Sequence, residues 1–222
     1  MNESLRVIDN FCPQIEEVRT SALESGFGKW TPNKGEVGSS IYEGMNFWGR
    51  HSYMLAALSA AIGGAPIPNN IFFRVTNTGT ESAYVHSDRM WGARTCIAYL
   101  SNHDGIDSGT AFYRHRETGL TEMPTFGEMK EKGIFDLLKK DMVEGGEHQW
   151  ENIDFVKGLY NRALVFNAPL FHSRYPKTGI GSDSASGRMV WVCHFCLIGN
   201  DGKLYGNPTV KTGGAAVEAA VR

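Results

Sequence analysis

From Ile71 onward the apolar residues recur in short runs with a period of two, and this pattern constrains the fold more than any other feature of the chain. Successive side chains of a β-strand point to opposite faces of a sheet, so such alternation indicates strands. The predicted strands are residues 71–75, 82–86, 93–100, 109–113, 162–166 and 188–198. Many short strands in succession favour a sheet sandwich or a barrel.

Two helices are predicted before these strands. Pro13 can open the first helix, whose apolar residues recur every three or four positions until Gly26 stops it. The second helix covers residues 51–62 and ends at Gly63-Gly64. Helices followed by strands favour the α+β class with a mainly β core.

Two long segments interrupt the regular pattern. Residues 114–158 are predicted to be an insertion between strands, with a charged helix around residues 128–142. Residues 26–49 are rich in glycine and aromatic side chains and show no clean period. They form either a long loop packed on the core or a mobile flap over substrate. Both segments are candidates for a lid.

No repeat and no linker divides the 222 residues. We therefore expect one domain, 1–222, whose core strands lie in residues 70–198. Residues 205–222 contain few bulky apolar side chains and are expected to be a loosely held tail.

The composition argues against several kinds of partner. The net charge is 22 − 24 = −2, and no basic stripe is interleaved with aromatic residues, so a nucleic acid partner is disfavoured. No apolar run is long enough to cross a bilayer, and the first residues lack a signal-peptide pattern. The four cysteines lie mostly in apolar runs, which favours buried free thiols. We therefore expect a cytoplasmic protein without a membrane partner.

The segment with the clearest chemical content is Tyr84-Val85-His86-Ser87-Asp88. In an extended strand, His86 and Asp88 project to the same face and can reach one metal ion. His172 ends another apolar run, residues 164–172. Two histidines and one carboxylate are the ligand set of non-haem Fe(II) oxygenases. The same residues could bind Zn²⁺ or Mn²⁺ in a β-barrel hydrolase, isomerase or structural site, and an exposed His-Ser-Asp turn also fits the first motif.

The order of motifs resembles the Fe(II)- and 2-oxoglutarate-dependent dioxygenase superfamily, most closely its small prolyl-4-hydroxylase-like branch. The resemblance covers residues 70–198 and follows His86-Ser87-Asp88, an apolar strand ending Tyr99-Leu100, the run 109–113, His172 and Arg188. It implies a double-stranded β-helix, the jelly-roll or cupin-like core, with the N-terminal helices packed on the larger sheet. It also implies Fe(II), the co-substrate 2-oxoglutarate and O₂.

The resemblance assigns roles to individual residues. It implies His86, Asp88 and His172 as the iron ligands and Arg188 as the partner of the distal carboxylate of 2-oxoglutarate. A guanidinium suits that role because its planar fork pairs with a carboxylate through two hydrogen bonds. Arg174, two residues after His172, is the rival for the same role.

One position departs from the pattern of the family. Many members carry Ser or Thr two residues after the arginine, where this chain has Val190. Tyr99 and Thr95, on one face of the strand 93–100, are the candidates for the missing hydroxyl. The gap between His172 and Arg188 is longer than in many members of the family. We interpret residues 179–187 as an inserted loop that accounts for the extra length.

The resemblance also bears on the reaction and the substrate. It implies hydroxylation, with a prolyl or other protein side chain as the first expected substrate and a small amino-acid-like metabolite as the second. Halogenating relatives carry a small residue in place of the carboxylate, so Asp88 implies oxygen chemistry.

Two other histidines are interpreted from their context. His194 lies on the same strand face as Arg188, so it either lines the barrel or forms a hydrogen bond in the core. His115 lies in the predicted insertion and is expected at the surface.

Overall fold

The structure is a computed structural model that describes residues 4–30, 42–79, 84–103, 105–144, 146–198 and 204–205. The strands are β1 (Leu5–Ile8), β2 (Gly28–Trp30), β3 (Tyr42–Asn46), β4 (Pro66–Thr76), β5 (Arg94–Tyr99), β6 (Gly109–His115), β7 (Trp150–Lys157), β8 (Ala163–Asn167), β9 (His172–Tyr175), β10 (Arg188–Ile198) and β11 (Leu204–Tyr205). The α-helices are α1 (Ile15–Ser25), α2 (His51–Ile62), α3 (Phe126–Glu131) and α4 (Phe135–Glu144), and a 3₁₀ turn covers Glu147–Gln149.

The strands form two antiparallel sheets. The larger sheet has the order β1-β8-β5-β10-β4-β3-β2, with β11 paired to β10, and the smaller sheet has the order β7-β6-β9. An isolated bridge between His86 and His172 adds the segment around His86 to the smaller sheet beside β9. From β4 onward the chain crosses repeatedly between the sheets, and this winding is the predicted double-stranded β-helix.

Alternation along β10 explains how the layers hold together. Val190 and Val192 face the smaller sheet and join the core between the two sheets. Trp191 and Cys193 face the opposite way and join a second core against α1 and α2. The buried helix residues on that side are Ile15, Val18, Ala22, Met54 and Leu58. The prediction that the N-terminal helices pack on the larger sheet is therefore confirmed.

The prediction of an insertion over residues 114–158 was wrong at both ends. β6 continues to His115, and β7 is a full strand of the smaller sheet that pairs with β6 along its length. Only the part between these strands is an excursion. Its helical part consists of two helices, α3 and α4, and Gly133 between them has a φ of +65°, which ends α3.

His115 is a further correction, because it is fully buried and not at the surface. Its Nε2 lies 2.9 Å from Oδ2 of Asp141 on α4, and its Nδ1 lies 2.9 Å from Oγ1 of Thr118. The ring also packs against Trp150 of β7. Through Asp141, His115 holds the helical segment between β6 and β7 against the outer face of the smaller sheet.

Several predicted boundaries also differ from the structure. His172 begins β9, whereas the preceding strand, β8, ends at Asn167. In the segment 26–49, β2 and β3 extend the edge of the larger sheet, while residues 31–41 lie outside the described residues. Residues 82–83 and 206–222 also lie outside the described residues, so the predicted start of one strand and most of the predicted tail are not addressed.

The four cysteines are buried free thiols, as predicted. Burial raises the pKa of Cys193 to about 12 and that of Cys96 well above its ordinary value. Of the helices in the described residues, none has the length and apolar character that a membrane crossing requires.

Candidate metal centre

The structure brings together the three residues predicted to bind metal. The backbones of His86 and His172 exchange two hydrogen bonds of 2.9 Å, and the amide of Asp88 donates to Ala168 at 2.9 Å. One nitrogen or oxygen from each of the three side chains lies within 4.8 Å of the others. Asp88 and His172 are buried, whereas the side chain of His86 is 46% exposed and opens the cluster to solvent.

Backbone carbonyls determine which nitrogen of each histidine is free. Nδ1 of His86 lies 3.1 Å from the carbonyl of Tyr84, and Nδ1 of His172 lies 2.9 Å from the carbonyl of Leu170. Because a carbonyl only accepts hydrogen bonds, each Nδ1 carries a proton, which leaves each Nε2 as the nitrogen that a metal ion can bind. The same backbone support orients metal-binding histidines in other proteins.

The free nitrogens face the carboxylate of Asp88. Nε2 of His172 lies 3.3 Å from Oδ2, and Nε2 of His86 lies 3.7 Å from Oδ1. Two imidazole nitrogens and an anion therefore converge on a small volume, an arrangement that needs a proton or a cation between them. This donor set fits a divalent metal ion.

The ionisation of the cluster suits the same role. Burial by itself would raise the pKa of Asp88, but the charges of His194 and His172 outweigh it and hold that pKa well below its ordinary value. Partial desolvation of the ring lowers the pKa of His86 below its ordinary value, and the charge of His172 acts in the same direction. Burial also lowers the pKa of His172, but Asp88 outweighs this, and the net shift is upward. The carboxylate is thus ionised and His86 is neutral at neutral pH.

Two further side chains contact Asp88. Oγ1 of Thr95 donates to Oδ2 at 2.9 Å, and Nε2 of His194 lies 3.3 Å from the same oxygen. Thr95 was predicted to supply a hydroxyl near Arg188, and the structure places it on the carboxylate instead. His194 was missed as a site residue. Alternation put it on the correct face, but the sequence carried no sign that Asp88 would lie against that face.

Arg188 lies deep between the sheets, with 4% of its surface exposed. Its Nη2 donates to the carbonyl of Gly109 at 3.0 Å, its Nε is buried without a hydrogen-bond partner, and no carboxylate of the described residues forms an ion pair with it. Burial lowers the pKa of Arg188 to about 10, opposed by Tyr99 and reinforced by Arg174. A buried cation without an anion is unfavourable, so this position is suited to an anionic ligand.

Tyr99 and Arg174 are the neighbours of Arg188. The guanidinium carbon of Arg188 lies 5.5 Å from the ring centre of Tyr99, whose hydroxyl lies 2.8 Å from Oγ1 of Thr110. Arg174 is on β9, and its Nη2 donates to the carbonyl of Lys177 at 2.9 Å. The structure thus brings Tyr99 to the arginine and Thr95 to the opposite part of the predicted site.

A family model described as a family of unknown function (DUF6445) matches residues 83–195. The matched residues contain the histidines and the carboxylate of the cluster, together with Thr95, Arg188 and His194. No curated protein matches the chain.

The solved structures that are similar to the chain share little sequence identity with it. The non-heme α-ketoglutarate-dependent carbocyclase SnoK from nogalamycin biosynthesis is 13% identical with a TM-score of 0.52, covering 87% of this chain and 79% of that one. The epimerase SnoN from the same biosynthesis is 11% identical with a TM-score of 0.49, covering 86% and 77%. AviO1 from Streptomyces viridochromogenes is 11% identical with a TM-score of 0.48, covering 86% and 90%. The likeness to SnoK supports the double-stranded β-helix, and the prolyl-4-hydroxylase-like branch stays a prediction.

Proposed function

The chain belongs to a family of unknown function, DUF6445, and we propose that it is a non-haem Fe(II)- and 2-oxoglutarate-dependent oxygenase that hydroxylates its substrate. One observation carries the proposal: a buried arginine with no carboxylate partner among the described residues lies in the same barrel as a cluster of two histidines and one carboxylate. The cluster alone would also suit a structural metal ion, and the arginine alone would suit any small anion. Together they match a metal and a dicarboxylate co-substrate.

The metal is assigned to His86, Asp88 and His172. Their contribution is a set of preorganised donors, with both Nδ1 atoms held by backbone carbonyls and the carboxylate ionised. Three ligands leave open positions for a co-substrate and O₂. Bound there, Fe(II) with 2-oxoglutarate supplies the oxidising chemistry, and the protein supplies orientation and exclusion of water.

The distal carboxylate of 2-oxoglutarate is assigned to Arg188, with Tyr99 as its neighbour. The anion would neutralise a guanidinium that is buried without an ion-pair partner among the described residues. SnoK, whose fold is similar, is described as α-ketoglutarate-dependent, which supports 2-oxoglutarate as the anion. A Zn²⁺ or Mn²⁺ site in a hydrolase, an isomerase or a structural role needs no such anchor.

For the substrate we propose a prolyl side chain of a peptide first and a small amino-acid-like metabolite second. The supporting observation is a row of aromatic contacts that leads from His194 towards the surface. Ring centres are 6.2 Å apart for His194 and Trp91, 6.0 Å for His194 and Phe72, and 6.1 Å for Phe72 and Phe47. Trp91 and Phe47 are 36% and 37% exposed. Aromatic-lined grooves are the usual docking surfaces for proline-rich segments.

We place the activity in the cytoplasm, where reducing conditions keep thiols free.

The oxygenase and the plain metalloprotein are distinguished by co-substrate binding. Thermal unfolding is measured anaerobically with Mn²⁺ alone, with 2-oxoglutarate alone and with both. The oxygenase predicts that 2-oxoglutarate raises the Tm well beyond the effect of Mn²⁺ alone, since a ligand of the folded state stabilises it. Succinate, which lacks the keto group, is the matched control and should give a smaller shift. A Tm that responds to Mn²⁺ and not to 2-oxoglutarate would favour the plain metalloprotein.

A further inference from the structure

Thr95 and His194 occupy paired positions on neighbouring strands. His194 of β10 lies directly opposite Thr95 of β5 in the antiparallel register. Both side chains point into the barrel, where Thr95 is fully buried and His194 is 5% exposed. Both approach one atom, Oδ2 of Asp88, at 2.9 Å from Thr95 and 3.3 Å from His194.

The environment of His194 indicates where its proton lies. Its Nδ1 is buried and has no hydrogen-bond partner in the described part of the chain, whereas its Nε2 faces the carboxylate. A buried N–H without an acceptor is rarer in proteins than an under-satisfied acceptor. The proton therefore lies on Nε2, and His194 donates to Oδ2 of Asp88.

The orientation of the His194 ring is fixed by its neighbours. The ring of Trp91 stacks on it at 6.2 Å with an angle of 23°, and Phe72 lies 6.0 Å away on β4. The segment that carries Trp91 is held against β10, because the amide of Ala93 donates to the carbonyl of Phe195 at 3.1 Å. The imidazole is thus confined with one nitrogen directed at the carboxylate.

We propose that Thr95 and His194 are a pair of positioning residues that hold Oδ2 of Asp88 and leave Oδ1 as the metal ligand. Both donors act on Oδ2, which also lies 3.3 Å from Nε2 of His172, while Oδ1 faces Nε2 of His86 at 3.7 Å. A carboxylate held in this way binds through one oxygen, which keeps the remaining metal positions open for other ligands. This inference rests on the metal site of the proposed function, but it does not depend on the co-substrate.

The first test uses Co²⁺ alone as the probe and compares His194→Gln with His194→Asn. The amide nitrogen of glutamine can occupy the place of Nε2, whereas that of asparagine reaches only the place of Nδ1. Removing an outer hydrogen bond to a ligand typically weakens metal binding about 10- to 100-fold. We expect this loss in His194→Asn and a Kd within about threefold of the unaltered protein in His194→Gln. The visible ligand-field spectrum of bound Co²⁺ should change in the first variant and be restored in the second.

A second pair of variants tests the other donor and covers the case that a His194 variant does not fold. Thr95→Val keeps the shape of the side chain and removes the hydroxyl, whereas Thr95→Ser keeps the hydroxyl. The proposal predicts weaker Co²⁺ binding and an altered spectrum in Thr95→Val, with both restored in Thr95→Ser. A purely structural role predicts a lower Tm of the metal-free protein with an unchanged spectrum.

The outcomes separate this inference from the proposed function. If His194→Asn and Thr95→Val bind Co²⁺ with the Kd and spectrum of the unaltered protein, the positioning role is overturned. If Co²⁺ binds as expected in all variants but 2-oxoglutarate neither binds nor is consumed, the proposed function fails and the positioning role stands. If the unaltered protein does not bind Co²⁺, both are overturned.

Discussion

The guanidinium carbon of Arg188 lies 5.5 Å from the ring centre of Tyr99, and both side chains are buried between the two sheets. Arg188 has no carboxylate partner among the described residues, so its removal should affect a ligand more than the fold. We expect Arg188→Met to leave the Tm of the metal-free protein unchanged or higher, because an apolar side chain replaces an unpaired buried charge. The Kd for 2-oxoglutarate should rise about 10- to 150-fold, the loss expected for hydrogen bonds to a charged group.

The control for this prediction is Arg174→Met, which removes the neighbouring cation. Calorimetric titration of the Mn²⁺-loaded variants with 2-oxoglutarate distinguishes the two arginines. If Arg188→Met binds 2-oxoglutarate tightly and Arg174→Met binds it weakly, Arg174 and not Arg188 is the residue that anchors the co-substrate.

The buried pair of His115 and Asp141 should matter for stability. Asp141→Ala leaves an imidazole buried without its 2.9 Å partner and is expected to cost about 1–3 kcal/mol of unfolding free energy. The double variant His115→Phe/Asp141→Leu should recover most of the loss, because it leaves neither polar group unpaired. Urea unfolding measures the unfolding free energy of the single and the double variant. Equal stability of Asp141→Ala and the unaltered protein would show that the pair does not fasten the helical excursion.

An ion pair beside β8 should give a small pH dependence. Arg162 donates to both oxygens of Asp9 at 2.6 and 3.0 Å, and this hydrogen bond lowers the pKa of Asp9 below 3.8. A lowered folded-state pKa contributes stability that is present above the unfolded pKa and is lost as the pH falls through the folded value. Asp9 is 58% exposed, so the contribution should be no more than about 1 kcal/mol.

The measurement is the unfolding free energy of Asp9→Asn and the unaltered protein from pH 7 down to about pH 2, well below the reference pKa of Asp. The unfolding free energies of the two proteins should differ at neutral pH and become equal at the acidic end of the range. A difference that does not change with pH would exclude the ion pair as its cause.

The fold and part of the candidate metal cluster could be predicted because their signals are local. Strand alternation placed His86 and Asp88 on one face, and it placed Arg188 on the inner face of the last strand. The sequence did not predict β7, since this edge strand has an exposed middle and buries only Trp150 and Val156. Its polar and apolar residues therefore do not alternate as in a half-buried strand.

The contacts of Asp88 with Thr95 and His194 could not be predicted for another reason. They depend on β5 and β10 being neighbours in the larger sheet, and on the loop before β5 lying against them. Periodicity gives the face on which a side chain lies but not the strand beside it. The burial of His115 was missed for the same reason, because its partner is on a helix 26 positions later.

The cysteines should be inert in the folded protein. All four are buried, and burial raises the pKa of Cys193 to about 12, so the thiolate form is scarce at neutral pH. A thiol reagent should label none of them within minutes under native conditions and all four in denaturant. Rapid labelling of a native thiol would contradict the buried positions.

The most direct test of the central claim is succinate formation from 2-oxoglutarate in air. The unaltered protein should form succinate only when Fe(II) and 2-oxoglutarate are both present, and Asp88→Ala should reduce the rate to the level without protein. Asp107→Ala, which removes a carboxylate that is 75% exposed, is the matched control and should keep the rate. Succinate formation by Asp88→Ala at the rate of the unaltered protein would contradict the account.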